Sequence, residues 1–254
     1  MMKRAIISGT GVYEIPGVTL EAHEVETEFG KAMLYLGKQE YADLVFMARH
    51  GIEHSTPPHK INFQANLKAL QMVGVDKIVA INAVGSINRA IPPGSLALLN
   101  DFLDFTSGRA HTFYNGGASG VAHTDMSQPY CPALRALLLR FAPQFELELY
   151  PAATYAATNG PRFESPAEIR MFAQLGGDVV GMTGVPEVTL AKELHMHYAA
   201  VAYSINWASG LEESLEFASA DLDALKGRLV QLVMRALVEE QPLECGCENA
   251  VMRA

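Results

Sequence analysis

Short apolar runs of β-strand type alternate along this chain with longer segments of helical periodicity, and turns containing Gly or Pro separate them. This alternation is typical of an α/β fold. Strand-like patterns cover residues 5–8, 44–48, 77–81, 150–157, 179–182 and 198–205. Helical patterns cover residues 60–73, 165–175, 186–194 and 221–240, the second opening on the capping sequence Ser165-Pro166-Ala167-Glu168.

Composition limits the classes of protein and partner. The chain has 254 residues, 49% of them hydrophobic, which excludes a disordered or fibrous polypeptide and allows a sizeable core. A formal charge of -9 argues against duplex nucleic acid as a partner. We find no apolar run of about 18 residues, so we expect no membrane span and a cytoplasmic location. Without repeats or linkers, we predict one domain over residues 1–241 and a loosely held tail over residues 242–254.

The cysteines and histidines give little sign of a metal site. Cys131 stands alone in the sequence, and Cys245 and Cys247 form a C-G-C that lacks a second ligand pair. His50 and His54 are four residues apart, but Gly51 and the prolines that follow argue against the helix that would align them. We therefore predict no metal, and free thiols rather than a disulfide framework.

Small residues with hydrogen-bond donors follow several predicted strands, where ligands bind in open α/β sheets. Taken alone, each such segment is equally typical of a turn that binds no ligand. Phe163 by itself is more often a core residue than a stacking surface. Asn206 follows a predicted strand, where a carboxamide can read a heterocycle or merely cap a turn. The donor-rich segments are Gly9-Thr10-Gly11, Arg49-His50-Gly51, Asn82-Ala83-Val84-Gly85-Ser86 and Met182-Thr183-Gly184.

Six segments in order resemble the methylthioadenosine phosphorylase branch of the trimeric purine nucleoside phosphorylases, and the resemblance covers about residues 4–240. They are Ile6-Ile7-Ser8-Gly9-Thr10-Gly11; Ala48-Arg49-His50-Gly51 with His54; Asn62-Phe63-Gln64-Ala65-Asn66; Asn82-Ala83-Val84-Gly85-Ser86; Gly160-Pro161-Arg162-Phe163; and Met182-Thr183-Gly184-Val185-Pro186-Glu187.

The resemblance implies a single-domain α/β fold with a mixed central β-sheet flanked by helices, and a homotrimer with sites near subunit interfaces. It implies phosphate as co-substrate and no metal or organic cofactor. Met182 would lie against the ribose, Phe163 against the purine, and His123 near the 5′ end of the nucleoside, reaching from a neighbouring subunit. The implied phosphate ligands are Thr10, Arg49, His50, Ala83 and Thr183.

The expected base-reading segment departs from the adenine-selective pattern. Those members carry Asp-x-Asp where this chain has Asn206-Trp207-Ala208, so both carboxylates are missing. An amide can donate to O6 or N7 of a 6-oxopurine but cannot supply a carboxylic proton. Asn followed by Ala two positions later is similar to the sequence of the methylthioinosine phosphorylases at this place. Residues 106–109 and 178–184 also resemble that subgroup. The role of Trp207 is open between narrowing the purine pocket and pointing into the core.

We therefore predict a pentosyltransferase that converts 5′-methylthioinosine and phosphate to hypoxanthine and 5-methylthioribose 1-phosphate, with Asn206 and His50 as catalytic residues. Three alternatives stay open at this point. In the first, the substrate is methylthioadenosine. In the second, the enzyme accepts a broader range of inosine and guanosine nucleosides. In the third, the chain is a catalytically silent nucleoside-binding protein.

Overall fold

The computed structural model describes residues 2–9, 11–214, 216–217, 222–239 and 243–253. Within them the helices of eight or more residues are α1 (Phe63–Met72), α2 (Pro132–Phe141), α3 (Pro166–Gln174) and α5 (Leu222–Leu237), and the shorter α4 is Glu187–Glu193. The strands are β1 (Lys3–Ser8), β2 (Leu20–Thr27), β3 (Gly30–Gly37), β4 (Leu44–Ala48), β5 (Val75–Ser86), β6 (Leu96–Asp104), β7 (Ala122–Thr124), β8 (Leu149–Ala157), β9 (Val179–Gly181), β10 (His197–Trp207) and β11 (Val251–Arg253).

Nine of these strands form one mixed sheet in the order β10-β6-β8-β9-β5-β1-β4-β3-β2. Strand β10 also pairs with β5, so β10, β6, β8, β9 and β5 close into a ring from which the other four strands extend. Strands β1, β4, β5 and β10 run parallel, and their carboxyl ends therefore lie at the same edge. The ring and the extension meet at β5.

Strand β5 changes partners along one edge, which opens a space in the sheet. It pairs in parallel with β1 up to Ala80 and in antiparallel with β9 from Gly85 onward. Residues 81–84 lie between these two pairings. Such a change of neighbour at the carboxyl ends of parallel strands is the usual position of a ligand site in α/β proteins.

Two hydrophobic clusters cover the two faces of the sheet. Because successive side chains of a strand point to opposite faces, Ala5 and Ile7 belong to one cluster and Ile6 to the other. Helices α1 and α4 pack on the first face, and α2 and α5 on the second. Helix α3 covers a smaller cluster through Ile169 and Phe172. The predicted α/β fold with a mixed central sheet is confirmed.

The predicted elements are found, and some extend further than expected. Residues 82–86 and Asn206 were predicted as turns after strands, but they lie inside β5 and β10. Strands β2, β3 and β6 and helix α2 were not predicted. The end residues 221 and 240 of the predicted closing helix lie outside the described residues.

The C-terminal segment is held more firmly than the sequence predicted. Cys247 and Ala250 are buried, and β11 pairs in antiparallel with β7, with Met252 opposite His123. The expectation of a loosely held tail is therefore wrong for residues 243–253. No helix in the described part of the chain is long and apolar enough to cross a bilayer.

Candidate active site

A cavity of about 500 Å³ opens where β5 changes partners. Its walls include Gly9 after β1, His50 after β4, Ala83 to Gly85 on β5, and residues from the ends of β9 and β10. A cavity of this volume is large enough for a nucleoside-sized ligand. Seven of the predicted site residues line it: His50, Ala83, Phe163, Met182, Thr183, Asn206 and Ala208.

The His50 imidazole is fixed in one tautomer. Its Nδ1–H donates to the Thr56 carbonyl oxygen over 2.8 Å, which leaves Nε2 as an acceptor in the neutral ring. Burial lowers the pKa of His50, only partly opposed by the Thr56 hydrogen bond, and the neighbouring Arg49 lowers it further. The neutral ring therefore offers a lone pair on the side near Gly9.

Thr183, which follows β9, is positioned by two buried residues of β5 and β8. Asn82 Nδ2 donates to the Thr183 hydroxyl oxygen over 3.2 Å. The Tyr155 hydroxyl accepts from the backbone amides of Thr183 and Gly184 at 3.1 and 3.2 Å. Because the hydroxyl proton of Thr183 is not used in these contacts, it can be donated to an anion in the cavity.

Arg49 lies behind the cavity wall, in a fully buried ion pair. Its Nε and Nη2 donate to the two carboxylate oxygens of Glu187 at 2.6 and 2.7 Å. Its Nη1 donates to the Ile81 carbonyl over 2.9 Å, in the stretch of β5 between its two pairings. Nη1 also adjoins Gly9, a residue of the cavity wall. The guanidinium thus holds the end of β4, strand β5 and helix α4 together. That Arg49 also binds phosphate stays a prediction.

Two polar side chains in the cavity can read a purine. Asn206 is only 3% exposed, and its Nδ2 donates to the Trp207 carbonyl over 2.7 Å. Glu164, also buried, accepts from the Thr158 hydroxyl over 2.7 Å through one carboxylate oxygen. Ala208, where a second carboxylate would stand in an Asp-x-Asp sequence, is buried and supplies no polar side chain.

Aromatic rings lie on one wall of the same cavity. Phe163 is 47% exposed, which fits a ring kept open for a ligand better than a core residue. Its ring centre is 6.4 Å from that of Phe217, which also lines the cavity.

Comparison with known proteins agrees with this geometry. The chain matches the Phosphorylase superfamily over residues 3–238. The chain belongs to that superfamily. The resemblance drawn from the six sequence segments is therefore confirmed.

Relatives and solved structures narrow the family. A probable 6-oxopurine nucleoside phosphorylase of Moorella thermoacetica is 46% identical, over 93% of this chain and 92% of its own. A probable S-methyl-5′-thioinosine phosphorylase of Methanopyrus kandleri is 40% identical, over 99% and 98%. The crystal structure of a methylthioadenosine phosphorylase from an antarctic soil metagenomic library has a TM-score of 0.87 at 30% identity, covering 99% of this chain and 91% of that one.

Within this phosphorylase fold, the remaining predicted residues lie outside the cavity or outside the described residues. Thr10 is not among the described residues. His123 is exposed on β7 and does not line the cavity. Trp207, whose role the sequence left open, stacks under Arg89, with the guanidinium carbon 4.5 Å from the ring centre.

Several residues of the phosphorylase site were not identified from the sequence. Glu187, which ends the sixth segment of the resemblance, and Tyr155 act through contacts with residues distant in sequence, and no local motif reveals those contacts. Arg109 belongs to a segment that only the subgroup resemblance marked; its guanidinium donates to the carbonyls of Met182, Val185, Thr158 and Asn159 and so ties two loops of the site together. Glu164 directly follows Phe163 and could have been found there as a carboxylate beside a candidate stacking ring.

Proposed function

We propose that the chain catalyses phosphorolysis of a 6-oxopurine nucleoside, with 5′-methylthioinosine as its preferred substrate. The observation that carries the proposal is the presence of Glu164 and Asn206 in one cavity beside the buried Ala208. A 6-oxopurine presents an N1–H donor and an O6 acceptor. A carboxylate accepts from N1–H, and a carboxamide donates to O6 or N7.

The same pair disfavours an adenine ring. Adenine presents a lone pair at N1, so a carboxylate facing it would lose a hydrogen bond and lie against a second acceptor. Thr158 still donates to one Glu164 oxygen, and leaving the other oxygen of this buried carboxylate unpaired costs about 1–3 kcal/mol or more. A site built to hydrogen-bond its ligand rejects a mismatched analogue more strongly than an apolar pocket does.

The reaction needs stabilisation at the sugar and at the purine. Phosphate attacks the anomeric carbon, the N-glycosidic bond breaks, and its electron pair moves onto the purine. Thr183 donates to phosphate, and neutral His50 accepts from a protonated phosphate oxygen. As negative charge builds on the leaving purine, the Asn206 amide at N7 or O6 stabilises it.

The 5′ substituent is the finer part of the proposal. A methylthio group needs apolar surroundings, and Pro57, Pro58, Met182 and Phe217 supply apolar walls to the cavity. Unmodified inosine is the second candidate, favoured by the relatives named 6-oxopurine nucleoside phosphorylases. The exposed His123 is available to a neighbouring subunit, in keeping with the homotrimer that we propose. The absence of a cofactor from the reaction and the cytoplasmic location stay predictions.

Purine release tests the proposal. Methylthioinosine, methylthioadenosine, inosine and adenosine are each incubated with and without phosphate, and the free base and the sugar phosphate are quantified. We expect phosphate-dependent hypoxanthine release, fastest from methylthioinosine. Faster adenine release would overturn the base assignment, faster release from inosine would overturn the 5′ assignment, and no phosphate-dependent release would favour the silent binding protein.

A further inference from the structure

A buried cluster of sulfur and nitrogen atoms lies outside the cavity. Cys131 is the N-cap residue of α2, His197 begins β10, and Cys245 and Cys247 belong to the C-terminal segment. One potential ligand atom from each residue lies within 4.8 Å of all the others. Cys131, His197 and Cys247 are buried, and Cys245 is half-buried.

Three of the distances in the cluster are close to those of a tetrahedral metal site, and the ligand atom of Cys247 lies within 4.8 Å of the other three. Cys131 Sγ is 3.6 Å from Cys245 Sγ and 3.6 Å from His197 Nδ1, and Cys245 Sγ is 3.2 Å from the same nitrogen. Zinc–sulfur and zinc–nitrogen bonds of about 2.3 and 2.05 Å at tetrahedral angles place two sulfurs about 3.8 Å apart and a sulfur and a nitrogen about 3.5 Å apart. A disulfide between Cys131 and Cys245 would instead need about 2.05 Å.

We propose that Cys131, His197, Cys245 and Cys247 bind one Zn²⁺ in a structural Cys₃His site. Three thiolates and an imidazole in tetrahedral arrangement suit zinc among the common metals. Four protein ligands leave no position for water or substrate, so the site is structural rather than catalytic. Binding displaces one proton from each thiol and involves no change of oxidation state.

The second ligand pair that the C-G-C sequence lacks locally comes from residues far away in the chain. Cys131 precedes Cys245 by 114 residues, and His197 precedes it by 48. No spacing rule for zinc motifs covers such separations. The fold supplies the second ligand pair, because the Cys131 amide donates to the Tyr198 carbonyl over 2.7 Å and so places α2 beside the start of β10.

The site would fasten the C-terminal segment to the body of the protein. The same segment carries β11, which pairs with β7, and the Asp125 amide donates to the Ala250 carbonyl over 2.8 Å. Zinc at the cluster therefore stabilises the two-stranded ribbon that presents His123. Any effect on catalysis through His123 rests on the proposed function, whereas the zinc site itself does not.

Metal content tests the site directly. The full chain, without a metal-binding tag, is purified in reducing buffer, depleted with a chelator, supplied with Zn²⁺ and desalted. We expect about one tightly held zinc per chain by elemental analysis, and Co²⁺ in its place should give the intense visible bands of a tetrahedral thiolate complex. Failure to retain zinc, octahedral Co²⁺ spectra, or a disulfide among these cysteines in alkylation mass spectrometry would overturn the proposal.

Matched variants separate ligation from folding. Cys131→Ser keeps a good helix N-cap, because a serine hydroxyl also accepts from the Leu134 amide, but it removes a thiolate. His197→Asn removes the imidazole, and His195→Asn is its control, because His195 is exposed and Asn tolerates its positive φ. We expect Cys131→Ser and His197→Asn to lose at least nine-tenths of the bound zinc and His195→Asn to keep it. Equal zinc content in all three would contradict the assignment.

Amide hydrogen exchange measures whether zinc stabilises the C-terminal segment, independently of enzyme activity. On removal of zinc, amides in residues 243–253 and in β7 should exchange at least tenfold faster, while those of β1 and β5 stay unchanged. Unchanged exchange in the C-terminal segment would refute a fastening role. A chain that fails to bind zinc but still catalyses phosphorolysis would overturn this inference alone and leave the proposed function intact.

Discussion

Arg49 and Glu187, 138 residues apart, form a bidentate ion pair with both side chains fully buried. Tyr198 donates a further hydrogen bond to Glu187 over 2.7 Å. Burial alone would lower the pKa of Arg49, but the charge of Glu187 and its hydrogen bonds outweigh burial and raise it. The pair therefore stays charged, and it ties the end of β4 to the start of α4 directly behind the cavity.

Glu187→Gln should destabilise the protein strongly. The substitution leaves the Arg49 charge buried without its counter-charge, and breaking a buried pair in this way costs about 3–5 kcal/mol. Urea unfolding measures the loss. Arg49→Lys should also destabilise, because a lysine cannot make the two parallel bonds. A change below about 1 kcal/mol in both variants would contradict the bracing role.

Glu164→Gln should reduce selectivity between purines. The amide can present either an acceptor or a donor to N1, so the preference for a 6-oxopurine over a 6-aminopurine should fall at least tenfold, about 1.4 kcal/mol. The kcat/KM values for methylthioinosine and methylthioadenosine give the ratio. Glu213→Gln, at an exposed position, is the control. An unchanged ratio would remove Glu164 from base reading.

Asn206→Ala should lower kcat/KM for 6-oxopurine nucleosides about 10²–10³-fold, since removing one donor to a developing anion costs about 2.7–4 kcal/mol. The KM for phosphate should change little. Asn206→Asp should shift the substrate preference towards adenine nucleosides. The shift should be partial, because Ala208 supplies no second acid. Steady-state kinetics with Asn115→Ala, an exposed control, measure both effects. Equal losses in nucleoside and phosphate parameters would exclude the assigned role.

His50 should make the stability of the fold depend on pH in the acid range. Burial holds the pKa of His50 in the folded state below its ordinary value of about 6.5, so the unfolded chain binds the proton more readily. The contribution of neutral His50 to the free energy of unfolding is therefore fully present above about pH 6.5. It is lost as the pH falls through and below that value, because the unfolded chain then takes up the proton first. Wild type should therefore lose stability relative to His50→Gln between about pH 7 and pH 5.

Chemical unfolding of both proteins at several pH values measures this dependence. His59→Gln, at an exposed position, is the control and should follow wild type. A difference between wild type and His50→Gln that stays constant with pH would contradict the buried neutral imidazole.

Local patterns predicted the elements that carry strong local signals. The Ser165 and Glu168 capping box is present at the start of α3, and β4 has the predicted ends. Strand β2 was missed because most of it is exposed and it carries several acidic residues, so its apolar alternation is weak. The carboxyl ends of parallel strands were predicted to converge, and the cavity gathers His50, Ala83 and Asn206 as that argument requires.

Contacts between distant residues were beyond local reasoning. The pairing of Arg49 with Glu187, the bond from Asn82 to Thr183 and the cluster around Cys245 join segments 48 to 138 residues apart. Their free energy comes from burial and geometry that exist only after the sheet has formed. The family resemblance predicted where ligands bind, whereas these supporting contacts could be identified only in the three-dimensional structure.

The selection of a 6-oxopurine by Asn206 and Glu164 decides which nucleosides the proposed enzyme accepts. Its most direct test is the ratio of kcat/KM for methylthioinosine to kcat/KM for methylthioadenosine, measured on the wild-type enzyme at saturating phosphate. We predict a ratio of at least about 100, the value for two hydrogen bonds worth about 1.4 kcal/mol each. A ratio of one or less would contradict the claim.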